Sequence, residues 1–234
     1  MDCGVSCKRL TEALSACGIP TAAVKAVFIT HEHGDHIGGL RVFTKKHRLP
    51  VYAQAENLRF LISAGHIDGA AAFAIEQTPV ACAGFEISAF STPHDTRQSC
   101  GFRIRTPDDC TIATCTDLGE ITAEVDRNLT GCDLVLLESN YDETMLRGGS
   151  YPPDLKARIL SKRGHLCNDA TAVQLKKLLL SGTRRFILGH LSQENNTPAL
   201  AEKAALKALK GFQRGVDYEL EIASPVSCGR VVVL

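Results

Sequence analysis

The stretch Phe28–Leu40, with the sequence FITHEHGDHIGGL, decides how the rest of the chain can be interpreted. Three histidines and one aspartate stand within six residues here, directly after an apolar run and directly before two glycines. Burying so many polar groups without partners costs free energy, and the cost falls when each of them has a partner. A divalent metal supplies that partner, because imidazole nitrogen and carboxylate oxygen are natural ligands of first-row metals. The stretch therefore predicts a metal site that contains His31, His33, Asp35 and His36.

The spacing of these four residues indicates how they divide between metals. His31 and His33 stand two residues apart and can point to one ion, because side chains alternate along extended backbone. Asp35 and His36 lie on the following turn and can face a second ion close by. The glycines in and after the stretch let the backbone wrap tightly and start a helix.

Other candidate ligands follow predicted strands, each in a separate loop. His94 follows FEISAFSTP, Asp117 follows TIATCT, and His190 follows RRFIL. His165 follows a predicted helix that ends at Gly164. Loops held by a rigid sheet commonly carry functional sites. A single histidine at a strand end is nevertheless more often a hydrogen-bonded structural residue, so each of these histidines alone leaves both interpretations open.

The composition is that of an ordinary globular enzyme. The chain has 234 residues, is 44% hydrophobic and 22% charged, and carries no net charge, which argues against a surface that binds nucleic acid everywhere. We expect one domain over residues 1–234. We also expect no membrane partner and a cytoplasmic protein, because no apolar run reaches spanning length and the first residues lack a signal-peptide pattern. The 10 scattered cysteines are then reduced thiols rather than disulfides or a structural zinc site.

The apolar patterns predict an α/β fold with strands and helices mixed along the chain. The predicted strands cover residues 24–30, 50–53, 85–92, 101–106, 111–117, 133–139, 184–190, 218–223 and 230–234. The predicted helices cover residues 38–48, 55–65, 152–164, 169–182 and 197–211.

The motifs together resemble one known family. HEHGDH matches the H-x-H-x-D-H signature of the metallo-β-lactamase fold, and STPHD, TCTDLG and ILGHLS follow in that family's order. The segment ESNYDETMLRGGSYPPDLKARILSKRGHLCNDATA and the stretch HDTRQSCGF resemble the WalJ/YycJ-like nuclease subgroup, which is similar to ribonuclease Z. The resemblance implies an αββα sandwich that lacks the first N-terminal strands, because the aspartate that caps an early strand in the family is Asp2 here.

The resemblance implies two divalent metal ions, zinc or manganese, with iron as a further choice. Asp117 would bridge the two ions, and Asp2 would orient the histidine loop from behind the ligands. The first metal would be held by His31, His33 and His94, and the second by Asp35, His36 and His190.

The resemblance also implies the reaction. The chain would be a phosphodiester hydrolase, a 5′-to-3′ exonuclease on DNA, with a hydroxide that bridges the two metals as nucleophile. Asp35 would be essential for catalysis, and His165 would donate a proton to the leaving oxygen or a hydrogen bond to the phosphoryl group. Two alternatives stay open: a hydrolase of small thioesters, lactones or β-lactams on the same metals, and a metal-binding protein silenced by its short N-terminus.

Two basic groups could follow a nucleic-acid backbone, although a solvated helix face explains such groups equally well. Asn140 and Asn168 flank the predicted site and could touch phosphates, whereas asparagines more often hold turns. The basic groups are Lys156, Arg158, Lys162 and Arg163, and Arg41, Lys45, Lys46 and Arg48.

Overall fold

The computed structural model describes residues 1–223, so the strand predicted over residues 230–234 lies outside the described part of the chain. The described chain forms two compact units. The first unit comprises residues 1–90 and 96–102, and the second comprises residues 91–95 and 103–223. The prediction of one domain over residues 1–234 stays a prediction.

The first unit is built around a three-stranded parallel sheet in the order β1–β2–β3. Ser6 begins the first helix, because its side chain accepts a hydrogen bond from the Arg9 amide. The helices and strands of this unit, in chain order, are α1 (Cys7–Ala16), β1 (Val27–Ile29), α2 (Gly34–Ile37), α3 (Leu40–His47), β2 (Val51–Ala53), α4 (Ala55–Ser63), β3 (Ala72–Ala74), β4 (Val80–Cys82) and β5 (Phe85–Ser91), which ends at the boundary of the second unit.

The core of the first unit explains the position of the histidine loop. Ile29 and Val51 on neighbouring strands pack with Leu40 and Phe43 of α3, and all four are buried. Strand β1 ends at Ile29, so the histidine loop begins directly at the carboxyl end of a strand that is buried in this core. The apolar run before the loop is therefore the anchor of the loop.

The second unit contains a parallel sheet in the order β10–β9–β8–β7. Strand β6 (Cys100–Arg105) crosses the boundary between the units. The remaining elements are β7 (Thr111–Cys115), α5 (Ala123–Leu129), β8 (Leu134–Glu138), α6 (Glu143–Gly148), α7 (Pro153–Ile159), α8 (Asn168–Leu180), β9 (Arg185–Gly189), α9 (Pro198–Ala208) and β10 (Glu219–Ile222).

The register of this sheet sets the position of the second group of polar residues. Cys115 pairs with Leu137, and Glu138 pairs with Gly189, so β7, β8 and β9 end at the same edge. Side chains that follow the carboxyl ends of neighbouring parallel strands meet there, where α/β proteins commonly bind ligands. None of the helices within residues 1–223 is long and apolar enough to cross a lipid bilayer.

Candidate metal centre

Two histidine rings of the first unit converge in the loop after β1. The Nε2 atom of His31 lies 3.0 Å from the Nδ1 atom of His33, and their rings meet edge to face. The other nitrogen of His31, Nδ1, lies 3.0 Å from the hydroxyl of Thr30. This contact fixes the ring orientation, so Nε2 of His31 and Nδ1 of His33 point to a common place. Two imidazole nitrogens in this position suit one metal ion.

Asp2 holds the next histidine of the same loop. His36 donates from Nδ1 to the Asp2 carboxylate over 2.8 Å, and the same carboxylate accepts from the amide and the hydroxyl of Thr30. The remaining nitrogen of His36, Nε2, lies 3.7 Å from the Asp35 carboxylate. A carboxylate behind a histidine fixes the tautomer that leaves Nε2 as a ligand. The contacts of Asp2 are therefore those that an orienting residue would make.

The first five residues are interlocked with the loop by backbone contacts. Cys3 donates from its amide to the carbonyl of His36 over 2.7 Å and accepts from the amide of Gly39 at the same distance. A Cβ atom on Gly4 would lie 1.5 Å from the carbonyl oxygen of Asp35. Only glycine fits at this position, so the close approach of the two segments depends on Gly4.

The second unit gathers four acidic and imidazole groups at the shared edge of its parallel strands. Within this group each residue offers one ligand atom, and these atoms all lie within 4.8 Å of one another. Asp117 is buried, and its Oδ1 atom lies 3.7 Å from Nε2 of His190 and 3.9 Å from Nδ1 of His165. The four residues are Asp117, Glu138, His165 and His190.

Glu138 organises this group. His165 and His190 both donate from Nδ1 to its Oε1 atom, over 2.8 and 2.7 Å, while the amides of Leu118 and Leu166 donate to its Oε2 atom. Burial by itself would raise the pKa of Glu138, but the charges and hydrogen bonds of the two histidines hold that pKa far below its usual range. Since four donors satisfy this carboxylate, Glu138 is a partner of the histidines rather than an open ligand.

Glu138 was not among the site residues predicted from the sequence. The signal was present, because a glutamate that ends the apolar run LVLLE is a buried charge that needs partners. The same carboxylate affects His165. Burial lowers the pKa of His165, the Glu138 carboxylate raises it more, and the net pKa is raised.

His94 is held by the loop that follows α7. It donates from Nδ1 to the Gly164 carbonyl over 2.9 Å, and its own carbonyl accepts two hydrogen bonds from Arg163. Its Nε2 atom then lies 3.6 Å from Oδ1 of Asp117. Burial is the main cause that lowers the pKa of His94, and a low pKa favours the neutral form that binds metals.

Backbone conformation also contributes to the position of the predicted ligands in the second unit. Asp117 and His190 both have left-handed backbone, with φ of 59° and 55°, which is uncommon for residues other than glycine. The side chain of Asn140 donates to the carbonyl of His190 over 2.8 Å and holds this residue in place. Asn140 therefore supports a loop, which is the second of the two interpretations given for it from the sequence.

The donor chemistry of both units fits a divalent metal. The first unit brings together Asp2, His31, His33, Asp35 and His36, and the second brings together His94, Asp117, His165 and His190, each set within its own unit. In His36, His94 and His190 the Nδ1 atom donates to a protein oxygen, which is the arrangement in which Nε2 of a histidine commonly serves as a metal ligand. Neutral imidazole and carboxylate are the ligands that zinc, manganese and iron accept.

The basic group near His165 is largely committed to structural contacts. Lys156 donates to the carbonyls of Arg147 and Gly149, Arg158 pairs with Asp95, and Arg163 donates to the His94 carbonyl as above. In the other basic group, Arg41 and Lys45 share the carboxylate of Asp68. For most of these residues the structure gives an explanation that does not involve nucleic acid.

Comparison with known proteins shows the family of this chain. A model of the beta-lactamase superfamily domain matches residues 1–191. The exodeoxyribonuclease YycJ of Bacillus anthracis is 32% identical over 231 residues, which cover 96% of this chain and 86% of that protein. The exodeoxyribonuclease WalJ of Streptococcus pneumoniae (strain D39) is 32% identical over 229 residues, which cover 95% of this chain and 84% of that protein.

Solved structures with the same fold are more distant in sequence. The metallo-beta-lactamase fold protein YhfI of Bacillus subtilis gives a TM-score of 0.68 at 20% identity and covers 98% of this chain and 84% of that chain. The short form of human tRNase Z gives a TM-score of 0.60 at 16% identity and covers 95% and 83%. The predicted fold class and the family resemblance are confirmed by these comparisons.

Proposed function

The chain belongs to the β-lactamase superfamily and is a metal-dependent hydrolase, and from that premise we propose that it is a 5′-to-3′ exonuclease that cleaves DNA. The observation that carries the proposal is the 32% identity to exodeoxyribonucleases along nearly the whole chain. A cytoplasmic location belongs to the same proposal.

We propose two divalent metal ions with the ligands predicted from the sequence. When bound, the ions would activate a water molecule and stabilise the charge that develops on the phosphate. The convergence of His31 and His33 supports the first ion, and the anchoring of His36 and His190 through Nδ1 to carboxylates supports the second. Asp117 remains the proposed bridging ligand, because its carboxylate lies beside both His94 and His190.

His165 is the residue proposed to act on the substrate. Its Nδ1 atom is occupied by Glu138, so its Nε2 atom is the nitrogen left to meet a phosphoryl or leaving oxygen. Because Glu138 fixes the ring, the Nε2 atom is aimed before the substrate binds, which lowers the cost of ordering it. We propose that His165 acts in its protonated form, in which both ring nitrogens carry hydrogen, so that Nε2 donates a hydrogen bond or a proton to the substrate.

The proposal is tested by metal analysis and cleavage of labelled DNA in the same preparation. We expect about two metal ions per chain by mass spectrometry and processive loss of nucleotides from the 5′ end of single-stranded and duplex DNA. Substitution His165→Ala should lower kcat about 100-fold while the metal content stays unchanged.

Other outcomes point to other functions. Cleavage of a thioester or a β-lactam without cleavage of DNA would replace the proposed substrate class. Two bound metals with no hydrolysis of either kind would favour a silent metal-binding protein. An unchanged kcat in His165→Ala would remove His165 from the reaction but leave the nuclease proposal standing.

A further inference from the structure

We propose that Arg97 is a substrate-binding residue that holds a phosphate of single-stranded DNA beside the histidine loop. This inference rests on the proposed nuclease function. Arg97 lies in the stretch HDTRQSCGF, three residues after His94 in the sequence, and it belongs to neither of the two basic groups considered above. Its side chain is 58% exposed.

The backbone around Arg97 is fastened to the histidine loop. The amide of Arg97 donates to the carboxylate of Glu32 over 3.0 Å, and Glu32 stands between His31 and His33 in the chain. Further along, the amide and the thiol of Cys100 both donate to the carbonyl of Thr30, over 3.3 and 3.5 Å. The segment that carries Arg97 is thus tied to the same few residues that position the predicted ligands.

The same segment is fastened on its other side to helix α4. The side chain of Gln98 accepts a hydrogen bond from the Glu56 amide in the first turn of this helix, over 3.0 Å. The side chain of Asn57 donates to the carbonyl of Gln98. Each of these contacts joins a side chain to a backbone group, and together they hold Gln98, the neighbour of Arg97, against the first turn of α4.

The guanidinium of Arg97 is itself oriented. Its central carbon lies 4.9 Å from the centre of the Phe60 ring, which is a cation–π contact. Its Nε atom lies 3.9 Å from the Glu32 carboxylate. Within residues 1–223, no side chain or carbonyl accepts a hydrogen bond from the two terminal nitrogens of Arg97. These two nitrogens form the fork with which an arginine binds a pair of phosphate oxygens.

This arrangement distinguishes Arg97 from the other basic residues near the predicted site. The guanidinium of Arg158 is paired with Asp95, and that of Arg163 donates to the carbonyl of His94. Arg97 has a fixed orientation and an unused fork, so it loses little rotamer freedom when it binds an anion. A preoriented arginine with a free fork is a phosphate site rather than a structural contact alone.

The geometry places the bound phosphate beside the reaction centre and not in it. Arg97 is tied to Glu32, which stands between two of the predicted ligands in the chain and is not itself one of them. Arg97 therefore holds a neighbouring phosphate of the same strand, and its loss should affect binding more than the chemical step. The phosphates of single-stranded DNA are the same whatever the base sequence, so this contact carries no base specificity.

The test compares Arg97→Gln with Arg59→Gln on a 5′-labelled single-stranded oligonucleotide. Arg59 is a matched control because it is 69% exposed on the adjoining helix, but its guanidinium is already paired with Glu56. For Arg97→Gln we expect a KM about tenfold higher, with kcat changed less than about twofold and unchanged metal content. Arg97→Lys should fall between wild type and Arg97→Gln because it keeps the charge and loses the fork.

A binding measurement by fluorescence anisotropy provides a second readout in the inactive Asp35→Ala background. Adding Arg97→Gln should reduce the slope of log affinity against log salt by about 0.7, the value for one phosphate contact on a single strand. An unchanged KM and slope would overturn the inference while the nuclease function stands. A fall in kcat together with lost metal would also overturn it, because Arg97 would then only position the loop. If wild type neither binds nor cleaves DNA, the proposed function fails first and this inference fails with it.

Discussion

Glu138 is the residue on which the second unit's polar group depends. It is fully buried and accepts from two histidines and two backbone amides, so its charge is balanced entirely by neighbours. Partners behind metal ligands commonly change metal affinity by 10- to 100-fold when they are removed. The orientation of His190, a proposed ligand, therefore depends on residue 138.

Glu138→Gln should lower the affinity for the second proposed metal, the one assigned to His190, by about 10- to 100-fold, because an amide cannot accept from both Nδ1 atoms and both backbone amides. Competition with a chromogenic chelator measures this affinity. Glu120→Gln is the control, since Glu120 forms a surface ion pair with Lys162. Equal affinities in the two variants would show that Glu138 does not orient His190.

Gly4→Ala should destabilise the first unit, because the new Cβ atom would overlap the carbonyl oxygen of Asp35. Overpacking of this kind costs about 1–3 kcal/mol, or a drop of several degrees in Tm. Thermal unfolding followed by circular dichroism measures the change. Gly148→Ala should leave Tm unchanged or raise it, because no atom lies within 4 Å of the added Cβ at that helical position. A similar Tm in Gly4→Ala and wild type would mean that the N-terminal segment can move away from the loop.

At the scale of single elements, the loops after β8 and β9 work together. Asn140 follows β8 and donates to the carbonyl of His190, which follows β9, while its own carbonyl accepts from Ser192 and Asn196. Asn168 at the start of α8 joins the same buried network through Asn196. The left-handed backbone of His190 is thus supported from a neighbouring strand.

Asn140→Ala should displace His190 and alter the geometry of the proposed metal site, because the partly buried carbonyl of His190 would lose its donor. The visible absorption spectrum of the cobalt-substituted protein reports such a change in ligand geometry. Asn128→Ala is a matched control, since it also removes an amide that donates to a backbone carbonyl, over 2.9 Å, but lies in α5. Identical cobalt spectra for the two variants would contradict the role of Asn140.

Sequence patterns located most of the elements that lie within the described residues. Long apolar or amphipathic stretches such as those of β8 and α8 are predictable, because burial imposes a regular hydrophobic pattern on the sequence. The elements that were missed have weak patterns. Helix α1 buries no residue fully, and β3 and β4 have three residues each. Helices α5 and α6 have only seven and six residues, and their side-chain caps Thr122 and Asp142 are the sequence signal that could identify them. The helix predicted over 152–164 ends at Ile159, because the following residues fold back against the His94 loop.

Only part of the candidate site could be predicted from the sequence. The histidine loop could be found because its ligands are crowded into one stretch, whereas Glu138 and Asn140 act through contacts with residues far away in the chain. Such contacts depend on strand order and register, and no local pattern encodes them. The same holds for Arg97, because its proposed role in phosphate binding depends on its contacts with Phe60 and Glu32.

At the scale of the whole molecule, metal binding should stabilise the folded protein, because the unfolded chain does not hold the ligands together. Removal of metal with EDTA should lower Tm by about 5–10 °C, which corresponds to metal present at about 100 times its Kd. Scanning fluorimetry measures the change, and added zinc or manganese should restore it. The variant His33→Ala should respond less. A Tm that does not change with EDTA would argue against metal as part of the native state.

The shared carboxylate of Glu138 has a consequence for anyone who wishes to alter metal preference by design. Replacing His190 with aspartate, to favour a harder cation, would place a second carboxylate beside the buried carboxylate of Glu138. The double replacement of Glu138→Gln with His190→Asp avoids this repulsion, but it also removes the carboxylate that holds His165. A library that varies one codon at a time would not sample this pair.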